Sequence, residues 1–386
     1  MYKRWIEIRG KRSVLLLGPR RVGKTTLLKN LFPDIKYVTL DDLDHLSWAK
    51  SDPKGFVQAL GKQAIIDEIQ RFPLLTVAVK YAIDNEKGRY YMTGSSSLGL
   101  LDSAADSLAG RIDLLSLPST CWGEEEGDPT HDVFLEEIDP PDLKDAWRDF
   151  ERVLIYGGFP EVVVQKEEDA RHEILMNYKN TYFTRDLMQL SNLENLEGLL
   201  GVLYNIGRSI GSLLEISNFA RESGISFPTA KKYLNALEQA QLTFRLYGYQ
   251  YGPAKRYLKT AKTYFCDNGI IHSLNLRLNE GQLLENFVLS ELEKRRKLGF
   301  IKADRFYYYK SAAGREIDLV YEVGDTVYAV EIKATRNPTL KDIRNLIEFG
   351  KSFQRPVKLY LFYLGERYQS IKNVKLIPVA ALRRGK

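Results

Sequence analysis

Cysteine is nearly absent. Cys121 and Cys266 are the only two in 386 residues. They stand in no paired spacing, which argues against a thiolate metal cluster or a disulfide framework and points to a reducing, cytoplasmic setting. Long apolar runs are missing too. No stretch is long enough to span a bilayer, and Met1-Tyr2-Lys3-Arg4-Trp5-Ile6 lacks the apolar core of a signal peptide, so no membrane partner is expected. There is no low-complexity tract. Neither sign of charge dominates: a net charge of +6 and a pI near 8.9 permit a nucleic-acid partner without demanding one. What remains is globular. With 44% of residues hydrophobic and 27% charged the chain can bury a core, and its length predicts about two to three domains.

The chain is organised around residues 13–25. Val14 to Leu17 reads as a strand buried on both faces. Gly18-Pro19-Arg20-Arg21-Val22-Gly23-Lys24-Thr25 follows, the pattern G-x-x-x-x-G-K-T, and Thr26 to Leu31 reads as the start of a helix. Strand, glycine-bounded loop and helix together make a phosphate cradle, because backbone N–H groups and a helix N-terminus converge on an anion. Residues 18–26 form the expected nucleotide contacts. Lys24 would reach the β- and γ-phosphates of ATP, and the Thr25 hydroxyl would ligate Mg²⁺. A glycine turn with an exposed lysine is the plainer alternative, and the flanking strand and helix weigh against it.

Ala64-Ile65-Ile66-Asp67-Glu68 is the second decisive stretch, an apolar strand ending in two carboxylates. Asp67 would hold Mg²⁺ directly or through water, and Glu68 would orient and deprotonate the attacking water. Residues 35–40 alternate like a strand lying between these two nucleotide strands, so the sheet should carry an extra strand there. Asp41, Asp42 and Asp44 after it read as an acidic loop. Residues 89–96 read as a strand ending in small polar groups, and Ile112 to Leu117 as another, preceded by Leu108-Ala109-Gly110-Arg111. Lys3, Arg4, Arg9, Lys11 and Arg12 read as a solvated basic segment.

The middle is less informative. Residues 121–145 are rich in Asp and Glu with Pro129, Pro140 and Pro141, and read as a solvated, helix-poor connector. Residues 155–161 form a turn between helices, and 170–190 is helical, with Tyr182, Arg185 and Asp186 explicable as members of a salt-bridged helix. Residues 197–250 look like a winged helix. Ala230, Tyr233, Leu234 and Leu237 give the third helix an apolar face, and Thr229, Lys231, Lys232 and Asn235 lie on its outer face, where they suit a DNA groove. Docking of protein, or a lid over the nucleotide, is the alternative. Leu242 to Tyr249 reads as a strand pair, and Lys255, Arg256, Lys259 and Lys262 add basic character.

In the C-terminal third, residues 282–296 form a helix carrying Glu285. Residues 306–310, 316–321 and 326–333 are strands, the last two joined through Gly324 and Asp325. Asp318 then faces Glu331 and Lys333, which project to one side of their strand. Glu285, Asp318 and Glu331 could hold a divalent metal with Lys333 beside it. An edge hairpin with surface charges is the alternative.

These residues, from Gly18–Thr25 and Asp67-Glu68 through Tyr156-Gly157-Gly158-Phe159-Pro160 and Asp267-Asn268-Gly269-Ile270 to Glu285, Asp318 and Glu331-Ile332-Lys333, cover nearly the whole length. The chain resembles the prokaryotic AAA-type ATPase family with a C-terminal domain of unknown function. The resemblance implies an α/β fold in four parts. A P-loop AAA-type core occupies 1–120, with a parallel sheet in the order 5-1-4-3-2. A helical connector or lid follows at 121–195 and an α-rich winged helix at 196–252. A restriction-endonuclease-like α/β domain of the PD-(D/E)xK type occupies 263–386. It also implies ATP hydrolysis with Mg²⁺. Ser95 or Thr93 sits where such enzymes sense the γ-phosphate, unless 93–96 is only a serine-rich loop. Arg111 sits where they carry an arginine finger into a neighbouring subunit, which would make the protein a homo-oligomer, unless Arg111 is an ordinary ion-pair residue. Two functions stay open: ATP-driven DNA processing, and an ATP-dependent switch or scaffold whose last domain only binds DNA or protein.

Overall fold

Five short strands pair side by side, all parallel: β1 (Ser13–Leu17), β2 (Lys36–Thr39), β3 (Gln63–Asp67), β4 (Arg89–Gly94) and β5 (Ile112–Ser116). The computed structural model describes residues 3–95, 108–127, 131–188, 193–250, 260–311 and 313–385, with the side chains of 183–186 left out. Ser96, Lys255, Arg256 and Lys259, and the side chains of Arg185 and Asp186, therefore lie outside the described residues. The sheet order is β2-β3-β4-β1-β5, which from the opposite edge reads 5-1-4-3-2. The extra strand between β1 and β3 is β4, not the 36–40 strand. The reason is burial. Only Val38 is buried in β2, an edge pattern, whereas Tyr90 to Gly94 are buried throughout and need a partner on each side.

Helices α1 (Lys24–Leu31), α2 (Leu43–Ser51), α3 (Pro53–Leu60) and α4 (Leu75–Glu86) complete this part. Asp42 caps α2 through the N–H groups of Asp44 and His45, and Asp41 pairs with Arg71, so the acidic run is spoken for locally.

The acidic connector is only partly solvated, with Glu136, Glu137 and Asp139 exposed, and it is not free of helix. Glu124 is fully buried against Arg4, and Glu125 pairs with Arg152 at 2.7 Å. α5 (Pro140–Tyr156) begins at the two prolines, where a missing N–H costs no helical bond. The basic N-terminal segment is not wholly solvated either, since Arg4 is buried. α6 (Pro160–Val163) and α7 (Glu168–Tyr178) follow, and the backbone then widens into a π-helix over Lys179–Leu187.

Next come α8 (Leu196–Arg208), β6 (Leu213–Leu214), α9 (Ile216–Glu222), α10 (Phe227–Gln239), β7 (Thr243–Gly248) and β8 (Ala261–Phe265). Leu242–Tyr249 is thus one strand and not a pair. Its antiparallel partner is β8, which also pairs with β6. β7 pairs on its other side with β9 (Tyr307–Lys310), so the sheet runs on without a break. After α11 (Asn268–Ser273) and α12 (Glu280–Lys297), the sheet adds β10 (Glu316–Val323) and β11 (Thr326–Lys333). It continues past α13 (Arg344–Gly350) with β12 (Val357–Tyr363), β13 (Gln369–Ile371) and β14 (Val374–Pro378). Its nine strands are ordered β13-β14-β12-β11-β10-β9-β7-β8-β6.

Candidate nucleotide site and the C-terminal acidic cluster

The phosphate loop leaves the carboxyl end of β1 and enters α1 at Gly23, whose φ of 88° a side chain would resist. At Gly18 a Cβ would run into the Leu117 carbonyl, so only glycine lets the loop pass under the exit of β5. Arg4 braces the loop from behind, donating to the Val22 and Pro118 carbonyls at 2.8 Å each and to Glu124 at 3.0 Å. Lys24 is buried, and its Nζ donates to the Gly18 and Pro19 carbonyls at 2.8 and 2.9 Å, curling the loop around its own cation. Burial lowers this ammonium to about 8, against the pull of Glu68 and Asp67 and with a push from Arg20. An anion in the loop would reverse that shift.

The Asp67 and Glu68 carboxylates meet the loop across the sheet. The Thr25 hydroxyl donates to Asp67 at 2.9 Å, as does the Tyr37 hydroxyl, and Thr93 adds a third hydroxyl to the same carboxylate. Thr25 and Asp67 are the pair that would hold Mg²⁺, and their proximity fits that ion. Glu68 adopts a left-handed backbone, φ 59°, a strained state that surrounding contacts must enforce. Its N–H donates to Thr93 at 3.2 Å, and its carboxylate receives the Gln70 amide and the Ser95 hydroxyl, the latter at 3.4 Å. Gln70 also donates to Ser95 at 2.9 Å. The structure thus brings Lys24, Thr25, Asp67, Glu68 and Ser95 together at one end of the sheet. Arg111 is elsewhere. It precedes the residue paired with Ser13 at the opposite end of β1, and its Nε meets Asp84 at 2.6 Å.

The second site is acidic. Tyr264 donates to Glu285 at 2.7 Å, the Ile332 N–H to Asp318 at 2.8 Å, and Lys333 to Glu331 at 2.6 Å. The other Glu331 oxygen is buried with no hydrogen-bond partner. Burial and then the Asp318 charge raise Glu331 to about 8, against Lys333, and the same two causes raise Glu285 to about 7, against Lys262 and Tyr264. Among the described residues no three His, Cys, Asp or Glu side chains are gathered to hold a metal ion. The expected metal set of Glu285, Asp318 and Glu331 is therefore not gathered among the described residues, although the three feel one another's charge.

The proposed DNA face is also partly engaged. Arg245 donates to Asn235 at 3.0 Å, and the Thr229 hydroxyl lies 2.7 Å from that of Ser226. Lys231 and Lys232 are exposed. Lys262 is buried beside Glu316 and not on a basic surface.

Comparison with known proteins assigns the first part. Residues 10–125 match the AAA domain family. The match supports an AAA-type P-loop ATPase. Residues 147–282 and 280–382 match two further families, Domain of unknown function (DUF8612) and Domain of unknown function (DUF4143). The similar curated proteins are themselves uncharacterized. One from Mycobacterium tuberculosis is 27% identical over 85% of this chain and 71% of its own length, and one from Methanocaldococcus jannaschii is 27% identical over 86% and 79%. One from Haemophilus influenzae is 24% identical over 88% and 87%.

In the AAA domain, sequence reasoning missed Tyr37 and Gln70, which hold the two carboxylates, and Arg4, which holds the loop. Tyr37 sits one strand away from Asp67, and its partner in register is Ile65, so nothing local links the two. In the acidic cluster it missed Tyr264 and Lys262. The alternation of β8, Lys262 and Tyr264 pointing to one side, was the available signal.

Proposed function

We propose that the protein binds ATP with Mg²⁺ and hydrolyses it, and that it works as an ATP-dependent switch. The observation that carries this reading is the Lys24 ammonium curled inside the phosphate loop, with the hydrogen-bonded set of Thr25, Asp67, Thr93, Glu68, Gln70 and Ser95 close enough for its carboxylates to act on that charge. Backbone N–H groups and the Lys24 ammonium neutralise the phosphates. Thr25 and Asp67 would hold Mg²⁺, which would supply further neutralisation of the developing charge. Glu68 orients a water in line with the γ-phosphate and takes its proton. Ser95 and Gln70 fix the Glu68 rotamer. Arg111, exchanging Asp84 for a neighbour's phosphates, is the finger in trans of a homo-oligomer.

The order α8, β6, α9, α10, β7, β8 supports a winged helix, and α12 beside the β10–β11 hairpin supports a nuclease-like fold. ATP-driven DNA processing is the second reading, favoured by the exposed Lys231 and Lys232. The switch is preferred because, among the described residues, Glu285, Asp318 and Glu331 are not gathered to hold a metal ion and Lys333 pairs with Glu331. The deciving test is ATP hydrolysis by the full chain with and without single-stranded, duplex and branched DNA, scoring turnover and cleavage together. Glu68→Gln should retain ATP binding and lose turnover by about 100-fold or more. Wild-type turnover in that variant would remove Glu68 as the base, and Mg²⁺- or Mn²⁺-dependent cleavage would replace the switch with the second reading.

A further inference from the structure

The two ends of the phosphate loop are fixed in different ways. At its start, Gly18 packs under the Leu117 carbonyl and donates its N–H to Gly94 at 3.3 Å. Its far end is held by a side chain from ahead of β1. Arg4 has a side chain only 8% exposed. Its Nη1 donates to the Val22 carbonyl and its Nη2 to the Pro118 carbonyl, both at 2.8 Å, and its Nε to Glu124 at 3.0 Å. Glu124 is itself fully buried and accepts the Trp5 and Cys121 N–H groups. The guanidinium fork is therefore held on every side, with one prong left for the loop. The Trp122 N–H donates to Glu291 of α12 at 3.0 Å, so the seat of Arg4 is fastened to the C-terminal part of the chain as well.

The Val22 carbonyl has a special place in the loop. In a planar trans peptide the C=O and the N–H that follows it point in opposite directions. The peptide between Val22 and Gly23 is trans. Holding the Val22 oxygen against Arg4 thus turns the Gly23 N–H away from Arg4 and Pro118. Gly23, at φ 88°, accepts that orientation and opens α1, whose first residue is Lys24. A half-turn of the same peptide would put an oxygen where an anion needs a donor.

We propose that Arg4 is a positioning residue of the nucleotide site: by gripping the Val22 carbonyl it aims the Gly23 N–H at the phosphates. This deepens the ATP-binding reading and rests on it. Arg4 touches no phosphate; it acts through the loop backbone, which reaches the ligand already shaped.

The test is titration of the full chain with a fluorescent ATP analogue and Mg²⁺, competed by ATP and by inorganic tripolyphosphate, alongside melting temperatures without nucleotide. The proteins are wild type, Arg4→Met, Arg4→Lys, Arg152→Met and Lys24→Ala. Arg4→Met should weaken ATP and tripolyphosphate by the same factor, about tenfold or more, because the misdirected donor faces phosphate and not the base. Arg4→Lys keeps a charge beside Glu124 but not the fork, and should still lose about threefold or more. Arg152→Met removes another arginine, one that pairs with Glu125 and Asp149. It should lower the melting temperature and keep ATP affinity within about twofold. Wild-type affinity in Arg4→Met overturns the proposal, as does a loss that spares tripolyphosphate. An equal loss of affinity in Arg152→Met also overturns it, since Arg4 would then only stabilise the fold. Should Arg4→Met fail to fold, Arg4→Lys decides: wild-type affinity there overturns the proposal and the threefold loss supports it. Lys24→Ala tests the reading beneath. A wild type that binds neither ligand, or binding that survives Lys24→Ala, overturns the nucleotide site itself. Binding that needs Lys24 but not Arg4 overturns the role of Arg4 alone.

Discussion

The phosphate loop and the acidic cluster handle buried charge in opposite ways. At the loop, a buried cation is wrapped by its own backbone carbonyls, and Asp67 is surrounded by three hydroxyl donors. That is a site prepared for a polyanion and its counter-ion. At the cluster, carboxylates are pressed together until two of them rise toward 7 and 8, and one Glu331 oxygen is left without a donor. There, burial and mutual repulsion favour the protonated carboxyl. The contrast shows why equal numbers of charged motif residues do not imply equal chemistry: what matters is whether each charge already has its partner.

The largest effect expected is at the loop. Lys24→Ala removes two hydrogen bonds to the loop carbonyls and the charge facing the phosphates. ATP affinity should fall at least about 100-fold, since charge-assisted bonds are worth about 1.5–3 kcal/mol each. Fluorescent-nucleotide titration measures this. The pH response of the C-terminal cluster should stay as in wild type, and a change there would show that the two sites are coupled even without nucleotide.

A smaller effect is expected at the cluster. Glu285 and Glu331 are raised to about 7 and about 8 in the folded chain against an ordinary 4.5. Between these values the folded state binds more protons than the unfolded one, so their contribution to stability is full below about 4.5 and is lost as pH rises through 7 to 8. Glu331→Gln should flatten that fall. Melting curves of both proteins from pH 5.5 to 8.5 should converge or cross at the alkaline end, with the variant gaining a few degrees relative to wild type. Parallel curves would mean that Glu331 is ionised throughout.

The smallest effect sharpens the loop side. Lys24 is lowered to about 8, and bound phosphates should return it toward its ordinary value. ATP binding at pH 8.5 should therefore take up part of a proton, and affinity should weaken as pH climbs through 8. Calorimetry in buffers of different ionisation enthalpy reads the proton directly. No proton uptake would mean that Lys24 is already charged in the empty loop.

Much of the AAA domain could be read from local sequence. Gly18, Gly23, Lys24 and Thr25 lie within one turn of chain, and Asp67 and Glu68 end an apolar run, so their places in the fold follow from spacing and alternation. What holds them was not readable. Tyr37, Thr93 and Gln70 come from other elements, and Arg4 reads as one basic residue among several until Glu124 is found buried beside it. The acidic connector was misread for the same reason, since Glu125 is acceptable inside only because Arg152 comes from α5. At the far end Asp318, Glu331 and Lys333 were legible as a set. Their chemistry was not, because Tyr264 and Lys262 arrive from β8, a strand that straddles the expected start of the last domain at 263.

The sequence by itself determined the phosphate loop, the paired carboxylates and the strands that carry them, because each depends on backbone geometry and on neighbours within a few residues. The tertiary structure alone decided which charges have partners. It set Asp267 against the Gly158 N–H at 3.0 Å, the Ser119 hydroxyl at 2.6 Å and Lys294 at 3.1 Å, joining two motifs that lie far apart in the chain. It also left one oxygen of Glu331 buried without a hydrogen-bond partner among the described residues. Burial and pairing are properties of the packed whole, and in a low-dielectric interior they fix the protonation and the readiness of every group that the motifs merely name.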